Sequence, residues 1–151
     1  MAPLDPWYVT GFCDGEAAFT YSRAGGTFGV SFSIKQRSDN KQIIEEIWEF
    51  FRYVGNVYNC KSIAPTKNSG YTRSSVIYKV SRVSELLIIA DHFDRYPIQS
   101  EKKHEAYNAW REMVMHKSDN YRKIDYDKLR VLAEKLSSLN SQSRAFVIHS
   151  K

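Results

Sequence analysis

Ten residues near the amino end of the 151-residue chain, Tyr8-Val9-Thr10-Gly11-Phe12-Cys13-Asp14-Gly15-Glu16-Ala17, decide how the rest is read. Asp5-Pro6 just ahead of them is a helix start: the carboxylate can cap, and proline at the first helical position forfeits no hydrogen bond. A short helix is expected over 7–14, stopped by Gly15. Gly11 and Gly15 are four apart, so both fall on one side of that helix and strip it of side-chain bulk. Two such helices can approach backbone to backbone, the steric logic of small-xxx-small packing. Glu16 then stands just past the carboxyl end, where the helix dipole is negative and carbonyls lack partners. A carboxylate there is electrostatically misplaced unless a cation joins it. Glu16 and the backbone carbonyl of Gly15 are hard oxygen donors of the kind that hold Mg²⁺. The plainer alternative is a polar helix exit, with Gly11 as an ordinary packing glycine.

Downstream, the hydrophobic period switches between two and 3.6. Strands are expected over 18–21 and 28–35, joined by the turn Arg23-Ala24-Gly25-Gly26. In the second, Phe28, Val30, Phe32 and Ile34 share one face, and Gly29, Ser31, Ser33 and Lys35 the other. Ser38-Asp39-Asn40 reads as the cap of a helix that carries Ile43, Ile44, Ile47, Trp48, Phe51 and Val54 and stops at Gly55. A third strand over 56–63, a Pro/Asn/Ser/Gly loop over 64–70 and a fourth strand over 71–83 follow. The fourth sets Val76, Tyr78 and Val80 against Ser75, Ile77, Lys79 and Ser81. Ser84 is expected to cap a helix through Phe93, and Pro97 breaks the chain before another over 100–116. A last amphipathic helix carries Leu129, Leu132, Leu136 and Leu139. The order α-β-β-α-β-β-α-α-α implies an α+β fold: one curved antiparallel four-stranded sheet with helices on one face, the other face open, and extra C-terminal helices. The chain reads as a single domain over 1–151, with its core at about 4–136 and a tail over 137–151 rich in Ser, Asn and Gln.

Apolar residues make up 42% of the chain and aromatics 14%, enough to bury a real core, which argues against disorder. No apolar run approaches the roughly 18 residues of a membrane span. Residues 1–5 lack the basic and apolar regions of a signal peptide. The expectation is an intracellular protein of a bacterial cytoplasm or an organelle matrix or stroma, neither secreted nor membrane-bound. Cys13, Cys60, His92, His104, His116 and His149 show no metal-ligand spacing, so neither a disulfide framework nor a structural zinc is expected, and no small-molecule cofactor. The net charge of +5 is unevenly placed. Residues 17–38 hold Arg23, Lys35 and Arg37 and no acid; residues 51–84 hold Arg52, Lys61, Lys67, Arg73, Lys79 and Arg82 and no acid. These stretches together carry +9 and the remainder −4. A polyanion is the natural partner of the positive part. A polar, basic sheet left open on one side can lie in a DNA major groove. The alternative is a mildly basic protein whose strands merely lack carboxylates.

The ten residues resemble the LAGLIDADG motif of homing endonucleases, matching it at Gly11, Phe12, Asp14, Gly15 and Glu16. The similarity continues through Ala18-Phe19, Phe32-Ser33-Ile34-Lys35-Gln36, Gly55-Asn56-Val57-Tyr58 and Tyr96-Pro97-Ile98-Gln99-Ser100-Glu101-Lys102-Lys103, most of 4–117. It implies the family's αββαββα fold and a site-specific, metal-dependent endonuclease for double-stranded DNA, of the intron-homing kind. A double-strand cut needs two catalytic centres; family members with two motifs act as monomers and those with one as homodimers. With one motif and no internal repeat, this chain is expected to dimerise through Trp7, Tyr8, Gly11, Phe12 and Gly15 on a long, nearly palindromic target, leaving 3′ overhangs. Mg²⁺ or Mn²⁺ is the expected cofactor, held by Glu16 and Gly15, with Ca²⁺ supporting binding without cleavage. The metal would relieve the repulsion of paired Glu16 carboxylates and activate water between them.

By position in the resemblance, Gln36 looks like the residue that orders the attacking water. Lys102 looks like the basic residue beside the scissile phosphate, with Lys103 the alternative one place on. Asn40 or Lys41 falls where some relatives carry a second basic active-site residue, and Ala17 stands where the motif ends in Gly. Expected DNA contacts are Arg23, Ser31, Ser33, Lys35, Arg37, Cys60, Ser62, Lys67, Arg73, Ser75, Ile77, Lys79 and Arg144. Arg and Lys suit phosphate and guanine; the small polar residues and Ile77 suit shape and thymine methyls. Trp48, Phe50, Phe51, Tyr107 and Trp110 read as core rather than base-stacking platforms. Two other functions fit the same scaffold, an RNA-binding intron maturase and a catalytically inactive DNA-binding module. Glu16, Gln36 and Lys102 together favour the enzyme, because a pure binder has no need of an acid near phosphates.

Overall fold

In the computed structural model, which describes residues 3–24, 27–61 and 74–140, helix α1 (Pro6–Glu16) runs straight into strand β1 (Ala17–Ala24). Asp5 caps α1 by accepting the Trp7 N–H at 2.8 Å. The helix outlasts the expected stop at Gly15, because the Ala17 N–H still closes on the Cys13 carbonyl. Glu16 is therefore the last residue of the helix, not the first beyond it. Then come β2 (Thr27–Arg37), a single 3₁₀ turn (Ser38–Asn40), α2 (Lys41–Phe50), β3 (Asn56–Cys60), β4 (Ser75–Val80), α3 (Val83–Arg95), α4 (Glu101–Asp119) and α5 (Tyr126–Asn140). The element order is the expected one.

Several boundaries move for local reasons. Arg23 and Ala24 extend β1 instead of turning, and the strand pairs with β2 as far as Ala24 and Thr27. Asn40 makes no side-chain cap bond to α2. That helix ends in two left-handed residues, Arg52 (φ 58) and Tyr53 (φ 62), with the Tyr53 N–H reaching back to the Trp48 carbonyl at 2.8 Å. Gly55 follows at φ 74, and a Cβ there would stand 2.5 Å from the Lys79 carbonyl oxygen, so only glycine lets β3 start this close to β4. Ser84 lies inside α3; Arg82 takes the capping position, its carbonyl accepting the Leu86 N–H. Residues 137–140, expected in the tail, continue α5. Ser62, Lys67, Arg73 and Arg144, with the loop over 64–70, lie outside the described residues.

All strands pair antiparallel in the order β1-β2-β4-β3. Strand alternation sends Phe19, Phe28, Val30, Phe32, Ile34, Val76, Tyr78 and Val80 to one face, where all are buried beneath the helices. Phe19 is the hub. Its ring lies 5.6 Å from Phe32, 5.4 Å from Phe93, 5.3 Å from Tyr107 and 5.1 Å from Trp110, uniting β1, β2, α3 and α4. Trp110, Tyr107 and Phe51 are fully in this core, as expected, while Trp48 and Phe50 are half-buried against it. Helix α5 buries Leu129, Leu132 and Leu136 and is fastened to β1 by the Tyr21–Ser137 hydroxyl pair and by Asn140, whose amide donates to the Phe19 carbonyl at 3.0 Å. Among the described residues no helix is long and apolar enough to cross a membrane.

One buried polar cluster ties α1 to α3. The Thr10 hydroxyl donates to the Tyr96 carbonyl at 2.7 Å, so at its 3.0 Å contact with His92 Nε2 it accepts, and the neutral ring carries its proton on Nε2. Burial pushes the His92 pKa down to about 4, with Asp91 pulling weakly the other way. The unfolded chain therefore takes up a proton near pH 6.5 that the fold refuses until about pH 4. Stability contributed by the neutral ring is full above pH 6.5 and falls as pH drops toward 4, by on the order of 3 kcal/mol. Urea midpoints at pH 7 and pH 4.5 should show a larger loss in the wild type than in His92→Gln; equal losses would contradict the assignment.

Candidate active site and sheet face

The end of α1 meets the end of β2, because Ala17 pairs with Ile34 and so brings Gln36 alongside Glu16. Gln36 Nε2 donates to Glu16 Oε2 at 3.1 Å and to the Lys35 carbonyl at 3.0 Å. Gln36 Oε1 accepts from Asn40 Nδ2 at 2.8 Å. Lys41 turns away along α2, its ammonium 3.6 Å from Glu45.

Asp14, the other acid of the motif, does a different job. Its carboxylate accepts the N–H groups of Gln99 at 3.2 Å and Ser100 at 3.0 Å, and the Ser100 hydroxyl. Ser100 is the capping residue of α4 but makes no capping bond of its own. Asp14 thus caps α4 from another helix, a negative charge set where the dipole welcomes it. This clamp sets the first turn of α4 against the end of α1. Lys103, half-buried on that turn, has its pKa lowered by burial while the charges of Asp14 and Glu16 pull it back up. Lys102, one residue earlier, is exposed. Both lysines thus stand on the clamped first turn, and the Glu16 charge reaches Lys103. Cys13 is packing: burial pushes its thiol up to about 12, so it stays protonated.

Among the described residues no three His, Cys, Asp or Glu side chains converge. One chain thus offers a hard cation the Glu16 carboxylate and the carbonyls at the end of α1. These suit Mg²⁺ in kind, but most of its oxygen ligands would have to come from outside the chain.

Strand pairing sorts the open face into rows. Arg37, Ser75 and Cys60 form one; Lys35, Ile77 and Tyr58 the next; Ala18, Ser33, Lys79 and Asn56 a third; then Thr20 with Ser31, and Ser22 with Gly29. Eight expected contact residues share this face: Ser31, Ser33, Lys35, Arg37, Cys60, Ser75, Ile77 and Lys79. Two expectations need correction. Ser75, hemmed between Arg37 and Cys60, is only 7% exposed and offers little surface. Arg23 falls on the helix side, opposite Phe28, with its guanidinium 5.3 Å from that ring. Arg37 also shares its charge with Asp39 at 3.1 Å. Tyr58, 51% exposed, and Asn56, Thr20 and Ser22 join the face unforeseen.

On the outer side of α1, Trp7 and Tyr8 are half exposed, Gly11 and Gly15 are exposed and Phe12 is half-buried. A Cβ at either glycine would meet nothing within 4 Å. The fold of the single chain makes no demand for glycine at either place.

The profile of the LAGLIDADG endonuclease family matches residues 9–114. Over 112 residues the chain is 29% identical to an uncharacterised 50.9 kDa protein in ND4 intron 1 of Podospora anserina, covering 68% of this chain and 22% of that protein. Over 96 residues it is 31% identical to a probable intron-encoded endonuclease 2 of Neurospora crassa, covering 63% and 19%. It thus spans about a fifth of the length of these curated relatives. Among solved structures, the LAGLIDADG meganuclease I-AabMI bound to uncleaved DNA is 26% identical, with a TM-score of 0.70 over 96% of this chain and 50% of that one. The homing endonuclease I-TnaI is 17% identical, with a TM-score of 0.69 over 99% and 97%. The four-stranded sheet with its helices is the fold of these proteins.

Asp14→Ala is expected to lower the unfolding free energy by about 1–2 kcal/mol, the usual cost of a lost cap. Asp14→Asn, which keeps one acceptor oxygen, should fall between. Urea denaturation of the three proteins checks this; identical midpoints would show that the clamp carries no weight.

Proposed function

Because the chain belongs to the LAGLIDADG endonuclease family, we propose that it is a site-specific endonuclease that cuts double-stranded DNA as a homodimer with Mg²⁺ or Mn²⁺. The observation that carries this reading is the outer side of α1: a helix stripped by Gly11 and Gly15 delivers Glu16 to the edge of an open, acid-free sheet face. Glycines that the single chain does not need make sense where the same helix of a second copy packs against them, beside Trp7, Tyr8 and Phe12.

In that arrangement each Glu16 carboxylate, with the Gly15 carbonyl, would hold the cation, whose chemistry when bound would be to acidify water and oppose the charge of the phosphate. Gln36 steadies Glu16 by its N–H and lies close enough to order water. Lys102, with Lys103 the alternative one place on, keeps an ammonium beside the reacting phosphate, where it offsets developing charge. Lys35, Lys79, Arg37 and the polar rows position and read the duplex. The target is a long, nearly palindromic site cut to leave 3′ overhangs. The names of both curated relatives refer to introns, which supports an intron reading frame and action inside the compartment that holds the target DNA.

Incubation with a randomised duplex library and Mg²⁺, followed by sequencing of cut ends, tests the activity. Glu16→Gln should bind the selected duplex in Ca²⁺ and cut none of it in Mg²⁺; full cleavage by that variant would remove Glu16 from the site. An uncut library with retained RNA binding would instead indicate a maturase. Gly11→Ala separates interface from fold. It should stabilise the monomer by about 0.5–1 kcal/mol through helix propensity, yet weaken dimerisation in analytical ultracentrifugation. Unchanged dimerisation in Gly11→Leu would take the glycine stripe out of the interface.

A further inference from the structure

We propose that Asn40 is a positioning residue: its amide N–H fixes the Gln36 side chain so that Gln36 turns its donors, and not its carbonyl, toward Glu16. The inference rests on the endonuclease reading for its consequence but not for its geometry. The two ends of a glutamine amide are nearly the same size and opposite in polarity. Against Glu16, the NH₂ end attracts and the oxygen end repels.

Three contacts select one orientation. Asn40 Nδ2 donates to Gln36 Oε1 at 2.8 Å, while Gln36 Nε2 donates to Glu16 Oε2 at 3.1 Å and to the Lys35 carbonyl at 3.0 Å. Turning Gln36 over would set oxygen against oxygen at two places and NH₂ against NH₂ at the third. Asn40 can play this part because it closes the 3₁₀ turn between β2 and α2, four residues beyond Gln36. The neighbouring Lys41 points along α2 instead, 3.6 Å from Glu45. A neutral donor also orients Gln36 without adding a cation that would compete for Glu16.

The test exchanges donor for acceptor. Asn40→Asp should slow single-turnover cleavage of the selected duplex about tenfold or more and raise the Mg²⁺ concentration for half-maximal rate, with Ca²⁺-supported DNA binding unchanged. Asn40→Gln, which restores a neutral amide donor, should recover part of that loss. In a Gln36→Ala background Asn40→Asp should add nothing, because the two residues act as one unit. Independently of cleavage, the Gln36 side-chain amide signals in ¹⁵N NMR of the metal-free protein should shift in Asn40→Asp. Wild-type cleavage by Asn40→Asp, a further loss in the Gln36→Ala background, or an unmoved Gln36 amide signal would overturn the proposal. A wild-type protein that cuts no DNA would overturn the endonuclease reading instead and leave the NMR comparison to judge Asn40.

Discussion

A single peptide bond joins the last residue of α1 to the first of β1, and that junction constrains everything near it. Ala17 is buried and paired with Ile34, so the strand allows no drift at its start. Glu16 is held on one side by a helix and on the other by a sheet. It can project only along the line where the two meet. A loop at this point would let the carboxylate wander by ångströms, and groups that act together need to be held far more tightly than that.

The support for this junction is layered around it. Three residues into the strand, Phe19 anchors β1 to the aromatic cluster of Phe32, Phe93, Tyr107 and Trp110. Two residues before Glu16, Asp14 clamps the first turn of α4, which carries Lys102 and Lys103. Thr10 bonds His92 and the Tyr96 carbonyl and fixes the middle of the helix to α3. Each turn of α1 thus spends its inward side on the fold and leaves its outward side bare.

Much of this was legible in the sequence. The alternation of Phe28, Val30, Phe32 and Ile34 gives β2 and both of its faces directly, and the spacing of Gly11 and Gly15 gives the bare side of α1. What escaped depends on contacts between elements. Gly25-Gly26 suggests a turn at Arg23, yet two-residue counting from Phe19 and Tyr21 carries it to the helix side. Lys102 and Lys103 cannot be told apart by helical phase, since both lie on the side of α4 that leads to Ala106, and both ride on the turn that Asp14 clamps. Asn40 and Lys41 straddle a 3₁₀ turn whose extent no hydrophobic period reveals. The weak alternation of β3 leaves the face of Tyr58 open, and pairing with Ile77 fixes it.

The rows of the open face carry a geometric consequence. They recur every second residue, roughly 6.6–6.8 Å apart along a strand. Stacked base pairs in a duplex rise by about 3.4 Å, half that interval. A duplex laid along β2 would find a side-chain row at alternate steps of its ladder, with the intervening steps facing gaps. The protein would then sample its target like a ruler marked at every other division. The bases in between would be sensed through bridging water and through how readily the double helix flexes.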